Sequence, residues 1–183
     1  MRTIGTILGT IAFIVIAIAF FIEVVSPSLN WSAAAEPGLI EEYLADRVID
    51  GWVGRNAPTQ TNPLTATTQN LKMARDDYRE HCAGCHGLDG SARNQLEAKF
   101  YPPVAKLVDD ESQMTDGQLY FIIAKGIRYS GMPAFETDNN REQIWRFVLW
   151  VRRLTRLTPQ EKADIAAEMK AQEQGNKAAP AAH

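Results

Sequence analysis

Hydrophobic positions fall into two regimes along the chain. From Ile4 to Val25, 17 of 22 residues are hydrophobic and no charge intervenes before Glu23. At 1.5 Å per residue such a run crosses a hydrocarbon core of ~30 Å, which predicts a transmembrane helix. Beyond it, apolar residues recur at helical spacing instead of continuously. Leu39, Ile40, Tyr43, Leu44, Val48, Ile49 and Trp52 predict an amphipathic helix over 37–53, opposed by an acidic face of Glu36, Glu41, Glu42, Asp46 and Asp50. Three further helices are expected over Leu71–Cys82, Thr115–Lys125 and Arg141–Leu157, with Thr115 as an N-cap and Gly126 ending the second. Alternating Val/Ile/Thr runs bounded by turn residues are lacking, so the expectation is an all-α fold: a transmembrane helix followed by a small helical domain.

The segments between these patterns divide the chain. Residues 1–3 read as a cytoplasmic N-terminus, 4–25 as the anchor, and 26–70 as the acidic helix plus a Thr-, Asn- and Gln-rich connector containing Pro58 and Pro63. The connector of about 17 residues, if flexible, spans on the order of 23 Å and permits local swinging. The domain occupies 71–157, and 158–183 reads as a tail with a short helix from Pro159 and a disordered end. Gly5 and Gly9, continued by Ala12 and Ala19, form a small-residue stripe suited to pairing with another membrane helix.

Composition changes this picture in three ways. The formal charge is only -3, with 19 basic and 22 acidic residues, which argues against a nucleic-acid binder. Two cysteines exclude a disulfide-rich scaffold. Arg2 before the apolar run and Glu23 near its far end place the rest of the chain outside the cytoplasm by the positive-inside tendency. A cleaved signal peptide is the rival reading, since Ala33-Ala34-Ala35 has the form of a processing site; the apolar run exceeds an h-region of ~7 to 15 residues, favouring an uncleaved anchor. Either way the domain is exported.

The chemistry concentrates at His81-Cys82-Ala83-Gly84-Cys85-His86. Cys-x-x-Cys-His is the spacing at which two thiols add to the vinyl groups of a haem while the following His reaches the iron. One haem c held by Cys82 and Cys85, with His86 as an axial ligand, is therefore expected. A thioredoxin-type redox pair would sit near a βαβ pattern, and a tetrahedral zinc site would need two further ligands. Met132, in Ser130-Gly131-Met132-Pro133, is the candidate second iron ligand. Met73, Met114, Met169, His81 and His183 are weaker rivals by position. Trp145, Phe147 and Val148 fit the core of the terminal helix, and Tyr101, Phe121, Ile122 and Phe135 are candidates for lining a haem pocket.

On these residues the stretch from Leu71 to Leu157, roughly 87 of 183 residues, resembles a class I cytochrome c, a helical fold with His/Met haem ligation. Tyr78 matches the aromatic on that family's first helix and Trp150-Val151-Arg152-Arg153-Leu154 resembles its C-terminal helix motif, while Ala74 stands where the family often has Gly at their crossing, keeping a small residue there. Pro102-Pro103 is similar to the proline segment whose carbonyl receives the Nδ1 proton of the proximal histidine, here His86, with Pro102 the preferred acceptor. The whole chain more loosely resembles membrane-anchored monohaem cytochromes of bacterial electron-transfer chains.

The resemblance implies a periplasmic haem domain on a single-pass anchor in the cytoplasmic (inner) membrane, carrying one electron at a time without turnover of its own. Expected partners are redox proteins, or a larger membrane complex reached through the Gly5/Gly9 face. A haem subunit of a dehydrogenase or reductase is the alternative, and a gas sensor or peroxidase-like enzyme a third. Within 71–157 the charge is only +1, with Lys72, Arg75, Lys99, Lys106, Lys125 and Arg128 available to gather near a haem edge.

Overall fold

The computed structural model describes residues 2–30, 32, 35, 37–93, 100, 102–108 and 113–178, and among these there is no strand. The chain divides into two compact units, residues 1–37 and 38–183.

In the first unit, the apolar run forms helix α1 (Arg2–Phe20), continued by a wider π-type turn over Phe21–Val25 and a 3-10 turn over Ser26–Ser28, with Pro27 in the latter. Together Thr3–Ser28 are long and apolar enough to cross a membrane. None of this helix is buried within the chain: Ile7, Phe13 and Ile16 all lie open, as lipid-facing side chains would. Nothing approaches the Cβ positions of Gly5 or Gly9.

The second unit is built on two crossed helices, α3 (Thr68–His81) and α6 (Arg141–Leu154). Thr67 caps α3 through Asn70 N–H, and Asn140 caps α6 through Gln143 N–H. On α3, Ala74 and Tyr78 lie four residues apart on one buried face. On α6, Ile144, Phe147, Val148, Trp150, Val151 and Leu154 are buried with them in one hydrophobic core. Each large aliphatic or aromatic side chain so buried contributes about 1.5–3 kcal/mol over exposure. Beside the crossing, Asp77 of α3 accepts from Arg146 Nε of α6 at 2.5 Å, fixing the register of the two helices.

Helix α5 (Asp116–Lys125) completes the core with Leu119 and Ile123. It opens on a full capping box: Thr115 Oγ1 accepts from Gln118 N, while Gln118 Oε1 accepts from Thr115 N. It closes on Gly126, whose φ of 65° and ψ of -174° lie in a positive-φ region open essentially to glycine alone. The short helix α4 (Ala83–His86) carries the Cys-x-x-Cys-His motif directly after α3.

Three expectations change. Helix α2 (Leu39–Asn56) forms, but its apolar residues do not make one stripe. Val53 and Trp52 turn toward α5, with the Trp52 ring 4.7 Å from that of Phe121, while Leu39, Ile40, Tyr43, Leu44 and Val48 stay exposed. Counting apolar positions every third or fourth residue cannot separate two faces that each hold part of the set.

The connector is extended but not free. Asn62 donates from Nδ2 to Trp145 O and from its backbone N to Asp116 Oδ2, both at 2.9 Å. Gly117 lies so close to Pro58 that an added Cβ would fall 1.7 Å from the Pro58 carbonyl oxygen. These contacts hold residues 58–62 on the domain, so this stretch is part of the folded unit and does not swing as a chain.

The tail holds more than a short helix: α7 spans Pro159–Ala178. Thr158 and Glu161 form a capping box around Pro159 at its first position. Ile165 is buried in the core and Met169 packs against it, while Glu168 pairs with Arg75 and Arg79 of α3. The expectation of a disordered end falls on residues 179–183, and the processing-site expectation at Ala33 and Ala34 likewise lies outside the described residues.

Candidate functional site

Helix α3 runs into α4 with only Cys82 between, and Cys82 O accepts from both Cys85 N (3.2 Å) and His86 N (2.9 Å). This single turn puts Cys82, Cys85 and His86 at spacings of three and four, hence on one side. Both cysteines are free thiols and partly buried. Burial, reinforced by the charges of Asp77 and Cys85, pushes the Cys82 thiol up to about 12, so it is protonated at neutral pH.

The turn leaving the motif is anchored from α3. Tyr78 Oη donates to the buried Gly87 O at 2.7 Å, and Gly87 itself has φ of 78°. Farther on, Asp89 accepts from Ser91 N and Oγ and from Arg93, and Ala92 N donates to His86 O. Burial would raise the Asp89 carboxyl, but the Ser91 and Arg93 hydrogen bonds hold it below its ordinary value.

His86 Nδ1 donates to a backbone carbonyl, as the resemblance implied, but the acceptor is Ala105 O at 3.0 Å and not Pro102 O. The reason is local: Leu107 N donates to Gly90 O at 2.9 Å, which pins the stretch around Ala105 beside the His86 turn. Pro102 is five residues upstream of that tie. The Nδ1 bond fixes the ring and leaves Nε2 as its free nitrogen. Burial lowers the His86 pKa and the Ala105 bond partly offsets this, so the ring is neutral at pH 7.

Met132 sits at the end of a shaped loop. Ile127 N donates to Met132 O, and Met132 N donates to Ser130 Oγ. Gly126 abuts Pro133 and Gly131 abuts the Phe100 ring so closely that a Cβ at either would clash, at 2.6 and 2.7 Å respectively. Tyr129, at the tip, is a non-glycine residue with φ of 63°. Met132 and Cys82 are both partly buried and packed against the same core. Phe135, three residues past Met132, contacts the His81 and Phe147 rings at 6.4 and 5.6 Å, which draws this loop to the helix end that carries the motif.

Three of the rival ligands are occupied otherwise. His81 Nδ1 donates to Asp77 O at 3.0 Å and its ring packs on Phe147, while Met114 and Met169 pack against the core. His183 lies outside the described residues, as do Tyr101 and Lys99. Phe121 is taken up by Trp52 and Ile122 is buried within α5, whereas Phe135 stays by the motif. Trp145 is core, stacked on Tyr120 at 4.4 Å. Among the described residues no cluster of three His, Cys, Asp or Glu side chains could hold a metal ion.

Ala105, Asn62 and Gly117 were not singled out from sequence, whereas Gly131 was, as a residue permitting close backbone approach beside Met132. A backbone carbonyl leaves no side-chain signature. Asn62-Pro63 in a polar stretch was the available signal for an ordered turn, and Asn62 Oδ1 does accept from Leu64 N.

The residues fit a covalently held haem: paired, unoxidised thiols on one face with a neutral imidazole whose Nδ1 is already engaged, and a thioether on a loop tied to the same helix end. Residues 69–151 match the family described as cytochrome C oxidase, cbb3-type, subunit III. No curated protein matches the chain. Among solved structures, a chain of the reducing HAO-like protein complex of Kuenenia stuttgartiensis aligns at 17% identity and a TM-score of 0.45, covering 50% of this chain and 46% of that one. This chain thus spans less than half the length of that relative. Over residues 69–151, the chain carries a c-type cytochrome domain, consistent with the monohaem class I type.

Proposed function

We propose that the chain is a membrane-anchored, periplasmic monohaem cytochrome that passes single electrons between protein partners. The observation that carries this reading is the Cys82–His86 turn, with His86 Nδ1 held by Ala105 O, inside a domain matched to c-type cytochromes. Haem bound there supplies an iron that cycles between Fe(II) and Fe(III). Cys82 and Cys85 would hold it by thioether bonds. His86 Nε2 and Met132 Sδ would ligate its iron, the neutral thioether favouring Fe(II) and a higher potential. The Ala105 bond keeps the imidazole orientation fixed through the redox cycle, and the Gly126, Gly131 and Pro133 contacts restrict the Met132 loop. With both of these ligands supplied by protein, electron transfer would be favoured over binding a substrate at the metal.

The segment Thr3–Ser28 supports a single inner-membrane span, and Arg2 ahead of it the periplasmic placement of the domain. Packing of residues 58–62 on the domain favours a carrier fixed near the membrane, or a subunit of a dehydrogenase or reductase complex, over one that swings on a loose linker; the Gly5/Gly9 stripe would serve helix pairing in such a complex. Intact-mass analysis with potentiometric titration tests the reading. The expected result is one haem per chain, lost on Cys82→Ala with Cys85→Ala, and a reversible one-electron transition; a chain without covalent haem refutes it.

A further inference from the structure

Helix α2 has two apolar faces. At about 100° per residue, Ile49, Trp52 and Val53 point one way, and Leu39, Ile40, Tyr43, Leu44 and Val48 point nearly opposite. The first set packs toward α5 through Trp52 and the buried Val53. The second is uncovered: Leu39 is 86%, Ile40 77% and Val48 69% exposed, an unusual cost for five large apolar residues on one short stretch. Glu41, Glu42 and Asp46 occupy the arc behind them, so the first ten residues of α2 form an amphipathic helix in their own right.

We infer that this outward face of α2 lies in the surface of the lipid bilayer. Chain length favours lipid over other occupants: ten residues separate Ser28, the end of the apolar segment, from Leu39, and fully extended they reach at most ~36 Å. If Thr3–Ser28 spans the membrane, the face is held next to a bilayer at all times, so shallow insertion pays little further association entropy. The composition agrees: four aliphatic side chains, one tyrosine suited to the headgroup level, and Arg47 among them, whose long stem can lie on apolar surface while its head reaches water. The two-faced helix would then be a spacer, seated on lipid by one side and on the haem domain by the other. The acidic arc rules out attraction to anionic headgroups as the driving force, so insertion is hydrophobic and proceeds on neutral lipid.

This inference rests on the anchor reading, and one experiment separates the two. The full chain is placed one copy per phosphatidylcholine nanodisc, and side-chain oxidation by hydroxyl radicals is measured at Tyr43, with Tyr129, 92% exposed at the tip of the Met132 loop, as internal reference. Tyr43 should be oxidised several-fold more slowly than in an Ile40→Glu, Leu44→Glu variant in the same discs, with the Tyr129 rate and visible spectrum unchanged. Both substituted residues are solvent-exposed in the folded chain, so the variant keeps its core. Equal Tyr43 rates in the two proteins, with the chain still floating with the discs, overturn the inference and leave the anchor standing. A chain that fails to float overturns both. Protection of Tyr43 in native membranes but not in lipid-only discs assigns the face to a protein partner and overturns the lipid assignment.

Discussion

Two side chains, one proposed to hold the haem and one supporting the motif, have distinct failures when replaced. Met132→Ala removes the proposed thioether ligand; the potential should fall and the visible spectrum change, and an unchanged spectrum would refute Met132 as ligand. Tyr78→Phe tests the support beneath the motif. Its hydroxyl is the donor to the buried Gly87 carbonyl, so denaturant unfolding should show a loss of about 1–3 kcal/mol with the haem still attached. Cys82, Cys85, His86 and Met132 are proposed from the sequence because thiol, imidazole and thioether at those spacings leave few other uses. Ala105 is not, because what it contributes is a carbonyl oxygen placed by the Leu107–Gly90 bond two residues away.

Among the elements, the ones set by a single buried stripe were legible and the ones set by contacts were not. Helices α5 and α6 begin within a residue of where their caps and periodicity put them. Helix α7 was underestimated because Ala, Glu, Lys and Gln give strong helix propensity without an apolar stripe; Ile165 and Met169 alone mark its docking side. That docking should depend on pH. Burial would raise Glu161, but hydrogen bonds from Arg153 and from the Thr158 backbone and hydroxyl bring it down to about 2. A carboxyl with a depressed folded pKa stabilises above its unfolded value near 4.3 and loses that contribution as pH falls toward 2. Proteolysis of α7 should therefore accelerate across that acidic window, and Glu161→Gln should be faster already at pH 7 and flat across it. The connector offers a steric test. Gly117→Ala places a methyl on the Pro58 carbonyl, so residues 58–62 must move, and cleavage there should rise sharply.

For the whole molecule, charge is distributed in a way the net value of -3 conceals. The acidic excess sits on α2, while Lys72, Lys106 and Arg128 are exposed on the cytochrome domain and Lys125 is engaged by Glu136 at 2.7 Å. If those free cations guide partners to the haem edge, electron-transfer rates should fall as ionic strength rises from low salt toward ~0.15 M; salt-independent rates would remove them from docking. The division into an apolar helix and a helical domain was plain from hydrophobic patterning, and the all-α class with it. The uncovered face of α2 was not, since periodicity counts apolar positions and is blind to what covers them.

The central proposal is that His86 and Met132 would ligate a bound haem iron and leave it no open position. Stopped-flow mixing of the dithionite-reduced full chain with carbon monoxide at neutral pH tests it most directly. The account predicts no rapid CO adduct in the native chain and prompt binding in Met132→Ala. Rapid CO binding by the native chain would contradict it, and would point instead to a sensor or peroxidase-like role.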